Sequence, residues 1–171
     1  MGGGMTSSGD FCATCGLCCD GTLFEYAHLQ PDEIDAAMAS GLEVGEFAGE
    51  PGFAQPCRHL CGTRCSIYVD RPKACRKYRC AMLKRMETGE IAAEQAAKHV
   101  AAVRSAVTSL NAEMLPGVTI RQCREQLEKA VLANEEIAAT TRMKLYFGVL
   151  ELLLDKHFRS PRQRFFTGMP S

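Results

Sequence analysis

Cysteine is the residue that most constrains how this chain can fold. Ten of the 171 residues are cysteines, and nine of the ten precede residue 81. A secreted disulfide framework would need an export signal, but Met1 to Asp10 is rich in Gly and Ser and lacks the apolar segment of a signal peptide. Clustered cysteines in a cytoplasmic chain are typical of a metal or iron–sulfur site. We therefore predict a cytoplasmic, metal-binding protein.

The first cysteine run reads Cys12-Ala-Thr-Cys15-Gly-Leu-Cys18-Cys19. Two residues between cysteines let a tight turn aim both sulfurs at one ion, and this unit occurs twice in overlap here. Three thiolates at that spacing also resemble the start of a bacterial ferredoxin run. Cys19 follows Cys18 directly, and adjacent side chains project differently from the backbone. Our hypothesis is that Cys18 and Cys19 serve two different centres, or that one of them is a ligand and the other is not.

A second cysteine group lies between residues 57 and 80. Its spacing is Cys57-x3-Cys61-x3-Cys65, followed by Cys75-x4-Cys80. Polarisable, anionic thiolates suit soft or borderline metals. The two groups together hold enough thiols for one or two four-thiolate centres, and a site that draws on both would cross-link distant segments and order them.

Charge is segregated along the chain although the formal net charge is zero. Residues 20–50 hold eight carboxylates and no Lys or Arg, whereas residues 51–86 hold nine basic side chains and one acid, Asp70. Three arginines lie close in sequence to the cysteines and could donate hydrogen bonds to sulfur and tune a redox potential: Arg71, Arg76 and Arg79. Alternatively, the basic side chains pair with the acidic segment, or they bind nucleic acid. We do not favour nucleic acid, because a base-stacking surface needs more aromatic side chains than Tyr68 and Tyr78.

Hydrophobic spacing predicts helices after the cysteine segment. Apolar residues recur at helical steps in the series Ala96, Val100, Val103, Val107, Leu110 and Met114. Pro116-Gly117 interrupts the chain, and Thr119 to Gln122 reads as a capping box ahead of the stripe Ile120, Cys123, Leu127 and Val131. A third helix is predicted from about Thr140 to His157. In this pattern Cys123 acts as a small core hydrophobe, and Arg159, Arg162 and Arg164 form a solvated basic end.

We predict a mainly α fold in which a loop-rich, metal-stapled module packs on a bundle of about three helices. The predicted boundaries are a disordered tail at 1–10, the cysteine module at 11–86, the helical portion at 87–160 and a tail at 161–171. The module and the helical portion either have separate cores or share one core. Within the module, Pro31 to Gly41 predicts a short helix, and Cys65 to Val69 predicts a short strand. No apolar run reaches the 18 residues of a membrane span, so no membrane interaction is expected.

A family resemblance lies in the motif Cys12-x2-Cys15-x2-Cys18-Cys19, then Cys57, then Cys65-Ser-Ile-Tyr68-x2-Arg71-Pro72-x2-Cys75-Arg76-x-Tyr78-x-Cys80. This pattern, over residues 11 to 82, resembles the CxxCxxCC, or YkgJ-like, family of zinc- or iron-chelating proteins. The resemblance implies eight metal ligands: Cys12, Cys15, Cys18, Cys19, Cys57, Cys65, Cys75 and Cys80. Cys61 falls where the family varies, and both it and His59 are weaker candidates. A related domain in flagellin lysine methylases is linked to an iron–sulfur cluster, but this chain shows no glycine-rich methyl-donor motif.

Three functions remain open from the sequence. The first, which we favour, is a redox or electron-transfer role with an iron–sulfur cluster, most simply of the 4Fe–4S type. The second is a zinc-stapled module that binds a protein or a nucleic acid without catalysis, and the third is metal storage or delivery. No hydrolase or nucleotide-binding motif is present, so the cysteines are the only support for an oxidoreductase, and no catalytic residue is identified. The expected partner is an unidentified protein or redox partner.

Overall fold

The computed structural model describes residues 8–133 and 141–165, and the elements named here lie in that part of the chain. The fold is mainly α, with a small sheet and a two-residue hairpin. The helices are α1 Ser8–Cys15, α2 Ile34–Ala39, α3 Lys73–Lys77, α4 Ala81–Glu87, α5 Ala93–Asn111, α6 Ile120–Ala133 and α7 Thr141–His157. The strands are β1 Tyr26–His28, β2 Val44–Phe47, β3 Glu50–Ala54, β4 Leu60–Cys61 and β5 Arg64–Cys65. Short 3₁₀ turns span Pro31–Glu33 and Pro161–Gln163.

The helical portion follows the predicted spacing closely. Along α5, Ala96, Val100, Val103 and Leu110 are buried, and this face packs against α7. The capping box is present, since the Thr119 backbone N–H donates to Gln122 at 2.9 Å and the Gln122 N–H donates to the Thr119 hydroxyl at 3.2 Å. Cys123 is fully buried in the core, as predicted. The side chain of Val131 and residue Thr140 lie outside the described residues.

The acidic segment folds into the predicted short helix and an antiparallel sheet. Pro31–Glu33 makes a 3₁₀ turn that leads into α2, and the left-handed Gly41 (φ 93°) follows the helix. The sheet order is β1-β3-β2. Glycine is required at position 52, because a Cβ there would lie 2.6 Å from the Ala27 carbonyl oxygen of the neighbouring strand.

The predicted strand from Cys65 to Val69 is wrong. Strand β5 ends at Cys65, and the chain then turns, with the Ser66 N–H donating to the His59 carbonyl oxygen at 2.8 Å. The hairpin of β4 and β5 is only two residues long on each side, so Cys65 is the last residue with a partner strand. The turn returns the chain toward α3, which carries Cys75.

One main core joins the cysteine segment to the helices. Phe11, Leu17 and Leu23 are buried together with Val103 of α5 and Leu150 of α7. A second, smaller core lies under the sheet and comprises Leu29, Ala37, Leu42 and Phe53. The main core contains side chains from both sides of residue 86. The predicted boundary between the cysteine module and the helical portion stays a prediction. Helix α1 begins at Ser8, and residues 1–7 and 166–171 lie outside the described part of the chain.

A buried ion network also ties the cysteine segment to α6 and α7. Arg124 donates to Glu151 at 2.7 Å and to Glu25 at 3.2 Å, and Arg159 donates to Glu151 at 2.6 Å and to Asp155 at 2.9 Å. Glu151 is fully buried, and Arg159 is 7 % exposed. The prediction of a solvated Arg159 is therefore wrong, because two buried carboxylates compensate its charge. Removing one partner of such a network costs roughly 3–5 kcal/mol.

Candidate metal centre

One cavity of about 820 Å³ brings the two sequence groups of cysteines together. Its lining includes Cys12, Cys15, Cys18, Cys19, Cys57, Cys65, Cys75 and Cys80. The remaining two cysteines of the chain, Cys61 and Cys123, do not line it. All ten are free thiols. The fold thus separates the same eight cysteines that the family motif singles out.

The first group of thiols consists of Cys12, Cys15, Cys18 and Cys80. Helix α1 places Cys12 and Cys15 one turn apart on the same face. The left-handed Gly16 (φ 69°) ends that helix and carries the chain into the turn with Cys18. Cys80 is the N-cap residue of α4, which packs against α1. Only Cys12 and Cys15 of this group lie on the same helix. All four thiols nevertheless lie close enough to perturb one another electrostatically.

The second group consists of Cys19, Cys57, Cys65 and Cys75. The Cys57 backbone N–H donates to the Cys19 carbonyl oxygen at 2.8 Å, which joins the two cysteine segments directly. Cys65 closes the β4–β5 hairpin, and Cys75 lies within α3. Cys19 interacts electrostatically with Cys75, Cys57 and Cys65, and Cys75 interacts with Cys57 and Cys65. These four thiols therefore form a set of their own.

Cys18 and Cys19 are where the two groups meet. Cys80 and Cys15 act more strongly on Cys18 than Cys19 does, whereas the thiols that act on Cys19 are Cys75, Cys57 and Cys65. The two residues share one peptide bond, so their Cα atoms are about 3.8 Å apart. The different projection of adjacent side chains thus sends one sulfur to each group.

Burial dominates the acid–base properties of these thiols. It raises the pKa of Cys15 and of Cys19 to about 12 and that of Cys75 to about 11. Burial also raises the pKa of Cys18 well above its ordinary value, and nearby thiols add to the effect. Four thiolates this close together need a compensating cation, and a bound metal supplies that charge and displaces the protons.

Backbone amides point at several sulfurs and favour their thiolate forms. The Leu17 N–H donates to Cys15, the His59 N–H donates to Cys57, and the Leu83 N–H donates to Cys80 at 3.3 Å. Each bond lowers the pKa of its thiol, although burial has the larger effect. Such bonds to sulfur also tune the reduction potential of iron–sulfur clusters. The donor set and these amides fit a four-thiolate zinc or iron centre in each group.

Of the three arginines that the sequence placed near the cysteines, two face the thiols. Arg79 and Arg71 both lower the pKa of Cys12, against the larger opposing effect of burial, and Arg71 also lowers that of Cys75. The Arg71 guanidinium lies 3.7 Å from the centre of the Tyr68 ring. Arg76 is exposed, and neither the cavity lining nor the thiol interactions include it. The electrostatics therefore connect Arg71 to both groups and Arg79 to the first.

The weaker candidates lie apart from the cavity lining. Cys61 is exposed on β4, and the His59 Nδ1 lies 3.3 Å from the Ser66 hydroxyl. The sequence motif contains Tyr78 but assigned it no role at the metal. Its hydroxyl is buried beside Cys18 and Cys80, and burial, together with the proximity of these thiols, raises the pKa of Tyr78. The spacing Tyr78-x-Cys80 was the sequence signal that could have indicated a position for Tyr78 beside the thiols.

The cysteine side chains do not by themselves form a finished coordination geometry. Within residues 8–133 and 141–165, no three His, Cys, Asp or Glu side chains already enclose the position of a single metal ion. The two groups are defined by the mutual proximity of their thiols and by the cavity that they share. In the same part of the chain, no helix combines the length and the apolar character needed to cross a membrane.

Comparison with known proteins supports the same assignment. The sequence model of the CxxCxxCC family, described as "Putative zinc- or iron-chelating domain", matches residues 11–108. The match extends beyond the cysteines and covers most of α5. No curated protein and no solved structure matches the chain. Because more than half of its length matches the family model, the chain belongs to the CxxCxxCC family of zinc- or iron-chelating domains.

Proposed function

We propose that each chain holds two four-thiolate centres, both 4Fe–4S clusters, and that the protein transfers electrons. The observation that carries the proposal is the division of eight free thiols in one cavity into two sets of four. Cys12, Cys15, Cys18 and Cys80 would hold the first centre. Cys19, Cys57, Cys65 and Cys75 would hold the second.

The distribution of ligands favours clusters over single ions. In ferredoxins with two clusters, three closely spaced cysteines and one remote cysteine hold a cluster, while the fourth cysteine of the run binds the other cluster. The grouping of the thiols supports the same division in this chain. Cys12, Cys15 and Cys18 group with the remote Cys80, and Cys19 groups with the second set.

Electron transfer is the chemistry that such closed centres support. Bound clusters would supply one-electron redox chemistry, and four thiolates per centre leave no open coordination position for a substrate. The protein would exclude water from the sulfurs by burying them and would hold their charge with backbone amides and with Arg71. The free state of all ten cysteines suits the reducing cytoplasm, which is where we expect the protein to act.

A zinc-stapled binding module is the second candidate. It is favoured by the small core under the sheet, which contains four buried residues and would gain stability from a metal cross-link. In that case the centres would be structural, since zinc has no redox chemistry.

Anaerobic purification followed by metal and sulfide analysis tests the proposal. We expect a brown protein with about eight iron atoms and eight acid-labile sulfides per chain, as two 4Fe–4S clusters require. A colourless protein with about two zinc ions per chain, which iron and sulfide cannot reconstitute, would contradict it and support the zinc alternative.

Serine variants test the division into two groups. Cys15→Ser and Cys65→Ser should each remove about half of the metal, because each disables one four-thiolate centre and spares the other. Cys61→Ser is the matched control, since Cys61 lies outside the cavity lining, and it should retain the full metal content. Complete loss of metal from both single variants, with the helical circular dichroism unchanged, would instead indicate one shared centre.

A further inference from the structure

We propose that the surface around Cys12 is the place where the protein exchanges electrons with an acidic partner protein. We call the surface formed by Cys12, Arg71 and Arg79, which all line the cavity, the Cys12 rim. The inference rests on the proposed electron-transfer function and adds to it the site of exchange and the charge of the partner.

Exposure singles out Cys12 among the eight thiol residues of the cavity. It is exposed, whereas Cys80 is buried and the other six are half-buried. Cys12 nevertheless lines the cavity together with the other seven cysteines. Electron tunnelling slows steeply with distance, so a metal held by the most exposed ligand has the shortest path to a partner. The first group therefore meets the surface at Cys12.

Positive charge surrounds this point. Arg71 and Arg79 line the cavity with Cys12, and Glu87 pairs with Arg79. Glu87 lies 3.2 Å from Arg79, but 45 % of the Arg79 side chain stays exposed. Arg76 adjoins the rim, because the Arg79 guanidinium donates to the Arg76 carbonyl oxygen at 2.9 Å, and the Arg76 side chain is exposed. The rim therefore carries an excess of positive charge that reaches solvent.

The acidic segment of the chain does not neutralise the rim. Among the described residues, one ion pair joins the basic residues of 51–86 to the carboxylates of 20–50, namely Lys73 with Asp32 at 2.6 Å. Arg58 donates instead to the Gly41 carbonyl oxygen. The interpretation that the two segments mainly pair with each other is therefore wrong, and the rim charge is available to a negatively charged partner.

The aromatic side chains beside the rim favour a protein partner over a nucleic acid. The Tyr68 ring is covered by the Arg71 guanidinium at 3.7 Å, and the Tyr78 ring packs edge-on against Phe24 at 4.7 Å. Both rings are engaged within the protein, so neither offers a platform on which bases would stack. An acidic protein needs only the charge.

Oxidation of the reduced protein by small reagents of opposite charge tests the rim directly. Under anaerobic conditions, stopped-flow absorbance would compare an anionic cobalt(III) oxalate complex with the cationic hexaamminecobalt(III) ion. At low ionic strength, Arg79→Gln should slow the anionic reagent roughly three- to tenfold and speed the cationic reagent by a similar factor. Both effects should shrink as added salt screens the surface charge.

Matched variants separate charge from structure. Arg79→Lys keeps the positive charge and should leave both rates within about twofold of the unsubstituted protein. Lys144→Gln removes an exposed charge from α7, which does not line the cavity, and should also leave both rates within about twofold. Equal slowing of both reagents by Arg79→Gln, or no change in either rate, would overturn the proposal.

Two further outcomes have distinct meanings. Salt-sensitive binding of single-stranded DNA that Arg79→Gln abolishes would assign the rim to nucleic acid and overturn the acidic-protein proposal. A colourless zinc protein would defeat the electron-transfer function and the rim proposal together, and metal analysis would reveal it before any rate is measured. A brown protein whose oxidation rates do not change in the Arg79→Gln variant would contradict the rim proposal but not the electron-transfer function.

Discussion

Tyr78 shows how a single side chain can act on a metal centre without binding the metal. Its ring packs on Phe24, and its hydroxyl is buried without a completed hydrogen bond. Gln163 lies beside the hydroxyl, but its side-chain oxygen already accepts a hydrogen bond from Ser160 at 2.8 Å. The hydroxyl proton is therefore free to donate to a sulfur of the first group, where Cys18 and Cys80 are the nearby thiols.

We expect Tyr78→Phe to lower the reduction potential of the first centre. A hydrogen bond to sulfur stabilises the reduced, more negative cluster, so its loss favours oxidation. A change of up to tenfold in the equilibrium constant corresponds to about 59 mV for one electron. Redox titration followed by electron paramagnetic resonance would measure the shift. Tyr146→Phe, on α7 and outside the cavity lining, is the control, and an equal shift in both variants would contradict this role.

At the level of elements, α5 and α7 form the helical pair on which the cysteine segment rests. Near one end of the pair, the His99 and His157 rings stack with centroids 3.8 Å apart. His157 is 9 % exposed, and its Nδ1 has no hydrogen-bond partner. A helix C-terminus ordinarily favours a histidine cation. Here burial has the larger effect, aided by the positive charges of His99, Lys156 and Arg85, and the pKa of His157 falls to about 4.

This histidine should make stability depend on pH. The unfolded chain binds the proton near pH 6.5, whereas the folded chain binds it only near pH 4, so protonation favours unfolding between those values. Stability from neutral His157 is present above pH 6.5 and is lost as the pH falls toward 4, by about 1–3 kcal/mol after allowance for solvent screening.

His157→Phe keeps the stacked ring and removes the titrating group. Chemical denaturation at several pH values should therefore give a shallower loss of stability below pH 6.5 than in the unsubstituted protein. The difference between the two proteins isolates His157 from the acid sensitivity of the metal ligands. Parallel pH profiles for both proteins would show that His157 does not contribute.

For the whole molecule, apolar burial is distributed unevenly. The main core draws heavily on α5 and α7, whereas the sheet rests on four buried residues. We therefore expect the part of the cysteine segment around the sheet to depend on metal cross-links for much of its order, while α5 and α7 share the main core. The network of Arg124 and Glu151 couples the two parts, because it connects α6 and α7 with Glu25.

Metal removal should therefore affect the two parts unequally. After treatment with bipyridyl and a reductant, or with EDTA if the metal is zinc, hydrogen exchange should rise strongly across residues 19–80 and much less in α5 and α7. Mass spectrometry of the peptides would measure the change. Restoration of the metal should reverse it, and a uniform rise along all described helices would show instead that the metal stabilises the molecule as one unit.

The sequence by itself determined the three long C-terminal helices and the metal-binding character of the cysteine segment, but not the short helices α1, α3 and α4. The apolar series from Ala96 to Leu110 and the capping box at Thr119 were predictable because they depend on neighbours within one or two turns. The motif from Cys12 to Cys80 likewise indicated metal binding, and it distinguished Cys61 and Cys123 from the other cysteines. These features are local in the chain, so pattern and spacing suffice to predict them.

The tertiary structure alone decided which thiols lie together. That Cys80 joins Cys12, while Cys19 turns to Cys57 and Cys75, depends on the packing of α4 against α1 and on the bond from Cys57 to Cys19. The same holds for Arg159, which looked like part of a basic end but is buried against Glu151. Sequence spacing determines only the contacts between residues that are close along the chain. Burial and the pairing of distant groups depend on how the whole chain packs.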